Sequence, residues 1–364
     1  MTLHTKPVSI ADLEQIALDK LPKLVRQYYE GGAEDEITLR ENITSLQRYR
    51  VVPKYLVDVG PDKLNVRSRP IWGNRLNVPF AVGPSAFHRL AGYDGELDVA
   101  RAAAKRGIAM GLSSSSTSSL EDVIKVGKTA REEIEEGSRQ ENEGFKLQDS
   151  DWWQQLYVSN VRSDTEDFIQ RSEKAGYTAL LITVDRPYLG RRLASLREKF
   201  EFPLHLRRAS GEKMAQDPSM HWDELIPWLR SKTKMKILVK GILHPEDAAL
   251  ALKHGLDGVV VSNHGGRQLD AAPATIDALP AIADVIQGRI PIFFDAVLWG
   301  LAAAGEEGVG LALDIIAEEF KLVMALTGVT DITQIRRSTL ALVDPAHVGL
   351  KTLSDPSWED RRPI

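Results

Sequence analysis

From residue 78 onward the chain alternates between short apolar runs and longer amphipathic ones, and this alternation restricts the fold more than any other feature. The apolar runs are Pro79–Val82, Ile108–Leu112, Trp153–Val158, Ala179–Val184, Lys236–Val239, Gly258–Val261 and Ile290–Phe294. They are too short for helices, and several lack a polar face, as expected of parallel strands covered on both sides. Between them lie helical stretches such as Gly95–Arg106, Glu166–Ala175, Pro245–His254 and Ala274–Ile286. Repeated strand–helix units predict a parallel sheet, most simply a TIM-type (β/α)₈ barrel. Each strand is followed by polar or small residues: Pro84-Ser85-Ala86, Ser113-Ser114, Tyr157, Asp185, Lys240, His264 and Asp295. Such groups at the carboxyl ends of successive strands describe a barrel's active face.

The count stops at seven. After Asp295 comes AVLWGLAAAGEEGVGLALDIIAEEFKLVMALTGV, which has helical period throughout and contains no eighth strand. A barrel unit takes ~30 residues, from ~250 residues for eight, so one helix–strand unit, the barrel's seventh helix and eighth strand, is expected to be missing. An open barrel leaves unpaired backbone on its edge strands. Ahead of the barrel, residues 1–70 read as a helical extension. Ser9 and Asp12 form a capping-box pattern at the start of a helix over Ile10–Leu18, and a second helix runs from near Pro22 to Gly31-Gly32, carrying Tyr28 and Tyr29. Two charged or aperiodic stretches interrupt the barrel. Lys125–Asp151 reads as a solvated excursion or mobile loop, and residues 203–221 as a segment able to form a lid over the barrel mouth. The chain is expected to form one domain over 1–364, with the incomplete barrel at 78–353.

Composition narrows the function classes. A net charge of -5 and a pI near 6.0 give no support for nucleic-acid binding. With no cysteine there is no disulfide framework or thiolate metal site, and no metal is expected. There is neither a signal-peptide pattern nor an 18-residue apolar run, and the terminal DRRPI is not an SKL-type peroxisomal signal. The default is an intracellular, cytoplasmic protein without a membrane or nucleic-acid partner.

The stretch Asp257–Asp270, DGVVVSNHGGRQLD, carries the densest chemistry. A strand runs into Ser262, Asn263, His264, two glycines and Arg267. The glycines permit a sharp turn or a close approach to a ligand. A histidine and an arginine just past a strand end suit a proton acceptor and an anion clamp. By themselves they equally describe a satisfied loop histidine beside a solvated arginine.

Read together, SNHGGRQLD, PSAFHRLAGYDGE, WQQLYV, TVDRPYLGRR and ILVKGI resemble, in order, the FMN-dependent 2-hydroxy acid oxidase/dehydrogenase family. This group includes glycolate and lactate oxidases and the flavin domain of flavocytochrome b₂, and the resemblance runs from YYEGGAEDE to MALTGVTDI. It implies that His264 is the base taking a proton from a small 2-hydroxy acid, with Asp185 stabilising its imidazolium form. Arg267 and Arg192 would clamp the substrate carboxylate, and Tyr28 and Tyr157 would hydrogen-bond the substrate. For FMN it implies Lys240 beside the N1–C2 edge, Ser113, Gln155 and Thr183 on the isoalloxazine, Pro84, Ser85 and Ala86 against its edge, Ser262 nearby, and Asp295 at the ribityl chain. The implied reaction is oxidation of an L-2-hydroxy acid such as glycolate or L-lactate to the 2-oxo acid, with O₂ or another acceptor reoxidising the flavin. A homotetramer is implied as well.

Two departures qualify this. Ser115 stands where many short-chain oxidases of the family carry an aromatic residue, which would widen a pocket it lined. The family also follows the strand-seven aspartate with a GGxRRG helix start and a strand ending in GRP, whereas here Ala296 follows Asp295 directly. That segment would hold the FMN phosphate through helix N–H groups and an arginine. Glu306 and Glu307 offer no substitute. Losing several charge-assisted hydrogen bonds at ~1.5–3 kcal/mol each would weaken FMN binding by orders of magnitude. The alternative expectation is therefore a truncated, catalytically impaired member that binds FMN weakly or not at all.

Overall fold

The computed structural model describes residues 6–60, 62–140, 151–198, 201–203, 206, 216–294, 299–343 and 350–352. Asp295 and most of the 203–221 stretch lie outside them. Six strands form one parallel sheet in chain order: β2 (Met110–Leu112), β3 (Trp152–Leu156), β4 (Ala179–Thr183), β5 (Lys236–Ile242), β6 (Gly258–Val261) and β7 (Ile292–Phe294). Parallel neighbours in chain order, joined through helices, wind the sheet as a TIM-type barrel does. The first expected strand, Pro79–Val82, is reduced to a single bridge. Only Val82 pairs, its N–H donating to the Ala109 carbonyl at 2.9 Å and its carbonyl accepting from Gly111 at 2.8 Å. Pro79 and Pro84 flank it, and proline has no N–H for a ladder. On the far side of the sheet, β7 pairs only with β6 among the described residues.

The two faces of the sheet bury different sets of side chains because successive residues point to opposite sides. Leu156, Leu180, Ile182, Ile237, Val239, Val259 and Val261 face outward into the main core, shared with the surrounding helices. Trp153, Leu181, Leu238 and Val260 face inward with Ala109, Leu76 and Trp72. The Trp72 indole donates to the Asp257 carbonyl at 3.0 Å. With Trp153 and Phe293 it forms an aromatic cluster, ring centroids 5.0–6.1 Å apart, which fills the inside near the strand starts. Chemistry is left to the other end.

The helices are α1 (Ile10–Lys20), α2 (Lys23–Glu30), α3 (Ile37–Thr44), α4 (Glu96–Ala104), α5 (Leu120–Gln140), α6 (Arg162–Ala175), α7 (Leu193–Arg197), α8 (Trp222–Lys232), α9 (Pro245–Lys253), α10 (Thr275–Ile286) and α11 (Trp299–Leu326). The capping box forms as read: the Asp12 amide donates to Ser9 Oγ at 3.1 Å, and the Ser9 amide to Asp12 Oδ2 at 3.0 Å. Three expectations need correction. Most of Lys125–Asp151 is not a solvated excursion but the greater part of α5. Its apolar residues Leu120, Val123, Ile124 and Ala130 recur at helical spacing and bury one face, while Glu132, Glu133 and Glu136 form the exposed one. The apolar stretch after residue 298 is not one continuous helix. It breaks at Ala304 and Gly305 (φ +60°), and its two limbs cross where Gly300 and Gly308 allow the backbones to touch. Finally, residues 1–70 are not helical throughout: Tyr49–Val51 forms β1, which pairs in an antiparallel sheet with β8 (Leu340–Val343) and β9 (Leu350–Thr352) from beyond the barrel. The strands of this sheet are three or four residues long, too short for an apolar alternation to mark them.

No helix among the described residues is long and apolar enough to cross a membrane. Glu306 is held by α4 rather than facing an anion site: its carboxylate accepts from Arg101 Nε at 2.8 Å and Lys105 Nζ at 2.7 Å.

Candidate functional site

Counting two residues past each inward-facing apolar residue gives the site floor. Trp153 leads to Gln155, Leu181 to Thr183, Leu238 to Lys240 and Val260 to Ser262, all four buried. The pleat therefore places four polar side chains on the inner face at the carboxyl ends of adjacent strands. The Gln155 amide NH₂ donates to Thr183 Oγ1 at 2.9 Å. Its carbonyl accepts from the Ser114 amide at 3.0 Å and hydroxyl at 3.2 Å, and from the Ser113 hydroxyl at 3.4 Å. Lys240 Nζ donates to Ser262 Oγ at 3.1 Å. Pro84, Ser85 and Ala86 follow the Val82 bridge and are half-buried, with Pro84 against Gly111. Ser115 is buried, its amide donating to Ser113 Oγ at 3.1 Å and its carbonyl accepting from Phe87 at 3.1 Å.

Past β6 the chain turns through a short 3₁₀ segment, His264–Gly266, capped by the Asn263 side chain, which accepts from the Gly266 amide at 3.1 Å. His264 has φ +59°, a left-handed conformation uncommon outside glycine and asparagine. The Ser262 hydroxyl holds its amide at 3.1 Å. Its Nδ1 lies 2.8 Å from Asp185 Oδ1 and its Nε2 3.5 Å from the Tyr157 hydroxyl. The Asp185 contact orients the ring with Nε2 toward the tyrosine. Gly241 (φ +110°) makes room for the aspartate, since a Cβ there would stand 2.6 Å from Asp185 Cβ.

Burial pushes the His264 imidazole below its ordinary value. The Lys240 charge pushes the same way, while the hydrogen bond to Asp185 opposes both. For Asp185, burial raises the carboxyl, but the hydrogen bond and charge of His264, with the Lys240 charge, hold it net below the usual range. A neutral imidazole beside an ionised carboxylate is ready to accept a proton.

Around this pair sit the arginines and tyrosines. Arg192 is pushed down to about 10 by burial and by the neighbouring charge of Arg267. Its Nε reaches the Arg267 carbonyl at 3.5 Å. The Arg267 guanidinium caps the end of α2, donating to the carbonyls of Tyr29 at 3.2 Å and Gly31 at 2.8 Å, and lies 5.1 Å over the Tyr28 ring. Tyr28 packs edge-on to Phe87 and Phe202. Every residue proposed from the resemblance to bind substrate or cofactor, Asp295 apart, thus lies along the carboxyl ends of the strands or on the segments that close over them.

The sequence reading missed what fastens this loop. Gly266 packs against the Leu39 backbone of α3, its carbonyl accepting from Ala33 at 2.8 Å. Asn263 and Asn42 exchange two amide hydrogen bonds, and Asp270 accepts from the amides of Asp35 and Thr38 at 3.0 Å each. An acidic residue ending the signature loop was the one signal for this latch, since carboxylates favour helix N-termini. Arg186 was also passed over; it lies 4.6 Å over the Tyr157 ring. Among the described residues no cluster of His, Asp or Glu is placed to hold a metal. A buried ammonium, a primary amide and hydroxyls on one floor suit a flat, heteroatom-rich ring system with an electron-poor edge-to-anion transition.

A family model described as FMN-dependent dehydrogenase matches residues 17–296 and 296–342, two segments that abut at residue 296. Human 2-hydroxyacid oxidase 1 is 37% identical over 386 aligned residues, covering 92% of this chain and 98% of its own. Glycolate oxidase 1 of indica rice is 36% identical over 373, covering 91% of this chain and 94% of its own. Among solved structures, mandelate oxidase with (S)-2-phenylpropionate superposes with a TM-score of 0.79 at 32% identity, covering 90% of this chain and 96% of that one.

Proposed function

The chain belongs to the FMN-dependent dehydrogenase family, and from that premise we propose that it oxidises an L-2-hydroxy acid to the 2-oxo acid, with O₂ or another acceptor restoring the cofactor. The observation that carries this reading is the Asp185–His264 pair, 2.8 Å apart, with Tyr157 at the other imidazole nitrogen. His264 Nε2 takes the proton as the substrate is oxidised, and the imidazolium formed is stabilised by Asp185. Arg192 and Arg267 bind the substrate carboxylate, a match for the planar guanidinium. Tyr157 and Tyr28 orient the acid. Lys240, Ser262, Gln155, Thr183 and Ser113 would hold the isoalloxazine of FMN, with Pro84, Ser85 and Ala86 against its edge; Asp295, outside the described residues, is assigned to the ribityl chain by resemblance alone. When bound, FMN would accept the two electrons together with the second hydrogen released as the hydroxyl carbon becomes a carbonyl.

The test is anaerobic addition of L-lactate or glycolate to the FMN-loaded protein while the flavin absorbance is followed. Bleaching is expected, and His264→Ala should slow it by ~10²–10⁴-fold, the usual contribution of a general base. Bleaching at an unchanged rate would remove His264 from the base role.

A second reading is favoured by the two family segments that abut at residue 296 and by β7 having a single partner among the described residues. Both support the absence of an eighth strand–helix unit and, with it, of the phosphate cradle. On this reading the chain binds FMN weakly and turns over little. Titration with FMN separates the two: stoichiometric flavin retained through purification would defeat the second reading, and a protein that stays colourless with excess FMN would defeat the first.

A further inference from the structure

We propose that Arg186 receives a second anionic group on the substrate, so that the preferred 2-hydroxy acids carry a side-chain carboxylate; this rests on the oxidase reading above. Arg186 follows Asp185 directly at the end of β4, and its guanidinium lies 4.6 Å over the ring of Tyr157, whose hydroxyl faces His264. A guanidinium stacked on an aromatic face is oriented without using its N–H donors. Its Nε is buried and has no hydrogen-bond partner. Arg89 Nε and one terminal nitrogen of Arg162 are likewise buried without a partner, but they lie away from the Asp185–His264 pair, whereas the other arginine at the pair's edge, Arg267, is satisfied by the carbonyls of Tyr29 and Gly31. The neighbouring Asp185 commits Oδ1 to His264 and leaves Oδ2 buried and unpartnered, so it does not serve Arg186. A buried donor without an acceptor is costly, and a ligand that brings the acceptor relieves that cost on binding.

The charge balance points the same way. Arg186 and Arg267 both act on Arg192, lowering it, which places three guanidiniums around one mouth, with Lys240 at the floor. Asp185, shared with His264, is the one carboxylate bonded within this group among the described residues. A single substrate carboxylate answers the Arg192–Arg267 clamp and leaves Arg186 uncompensated. A 2-hydroxydicarboxylate answers both.

The experiment compares L-2-hydroxyglutarate with L-lactate in anaerobic flavin bleaching, and 2-oxoglutarate with pyruvate in calorimetric binding to the FMN-loaded protein. Each diacid should be favoured by ~10-fold or more, the least expected of one charge-assisted pair. In Arg186→Gln both ratios should collapse toward one, and in Arg186→Lys part of the preference should survive. Equal affinities in the unaltered protein, or a ratio that persists in Arg186→Gln, would overturn the proposal. Bleaching by neither acid counts against the oxidase reading alone, and the calorimetric ratio still decides the role of Arg186.

Discussion

At the residue scale the chemistry depends on where His264 titrates. Burial and Lys240 lower the imidazole, so its neutral, proton-accepting form persists to pH values below the ordinary imidazole range. In the proposed base role His264 would work above its folded-state value, so kcat/KM should fall as pH drops through that value. Asp185→Asn removes the carboxylate charge that opposes the lowering. The acid limb of the profile should then move to lower pH while the plateau falls, because the imidazolium loses its stabilising charge. A limb that stayed in place would show that another group sets the profile. Of these residues, His264 and Arg267 were legible as a pair close in sequence. That Asp185, 79 positions away, meets His264 at 2.8 Å followed from the family resemblance and not from any local pattern.

At the scale of elements, the start of α4 is held by a buried carboxylate outside the site. Glu96 is fully buried and accepts from the His88 amide at 3.0 Å, the Thr117 amide at 2.8 Å, the Thr117 hydroxyl at 2.5 Å and the Ser118 hydroxyl at 3.0 Å. It ties the turn after Phe87 and the loop after β2 to one helix end. Burial works against its ionisation, but the His88 charge and the Thr117 hydrogen bonds bring it net below the usual carboxylate range. With its folded value depressed, the stability it contributes is present above the unfolded value and lost as pH falls through the folded one. Glu96→Ala leaves several buried donors without an acceptor and should cost ~3 kcal/mol or more, measured by urea denaturation at neutral pH. A loss near zero would mean that water replaces the carboxylate. The acidic face of α5 shows why such elements escape a reading by composition: its charge run looked like a solvated excursion, yet Leu120, Val123 and Ile124 anchor the opposite face.

At the scale of the whole molecule, the parallel sheet runs from β2 to β7, and β7 has β6 as its single partner among the described residues. Inserting the corresponding helix–strand segment of human 2-hydroxyacid oxidase 1 between Asp295 and Ala296 should raise FMN affinity by orders of magnitude, since each charge-assisted phosphate contact is worth ~1.5–3 kcal/mol. Quenching of flavin fluorescence on titration measures it. An unchanged affinity would show that FMN does not depend on that segment. The β1–β8–β9 sheet joins the segments before and after the barrel.

The sequence by itself determined the strand–helix alternation, because apolar period and strand length are local properties, and the polar residues that end each strand, because the pleat alternates faces every residue. The tertiary structure decided what no local pattern encodes. It brought Asp185 to His264, set α3 and Asn42 as the latch on the signature loop, and folded α11 back on itself at Gly305. It also laid Arg186 across Tyr157 with a donor unmet. Each of these is a contact between distant parts of the chain. It is fixed only when burial forces those parts together and every buried donor either finds an acceptor or waits for a ligand to bring one.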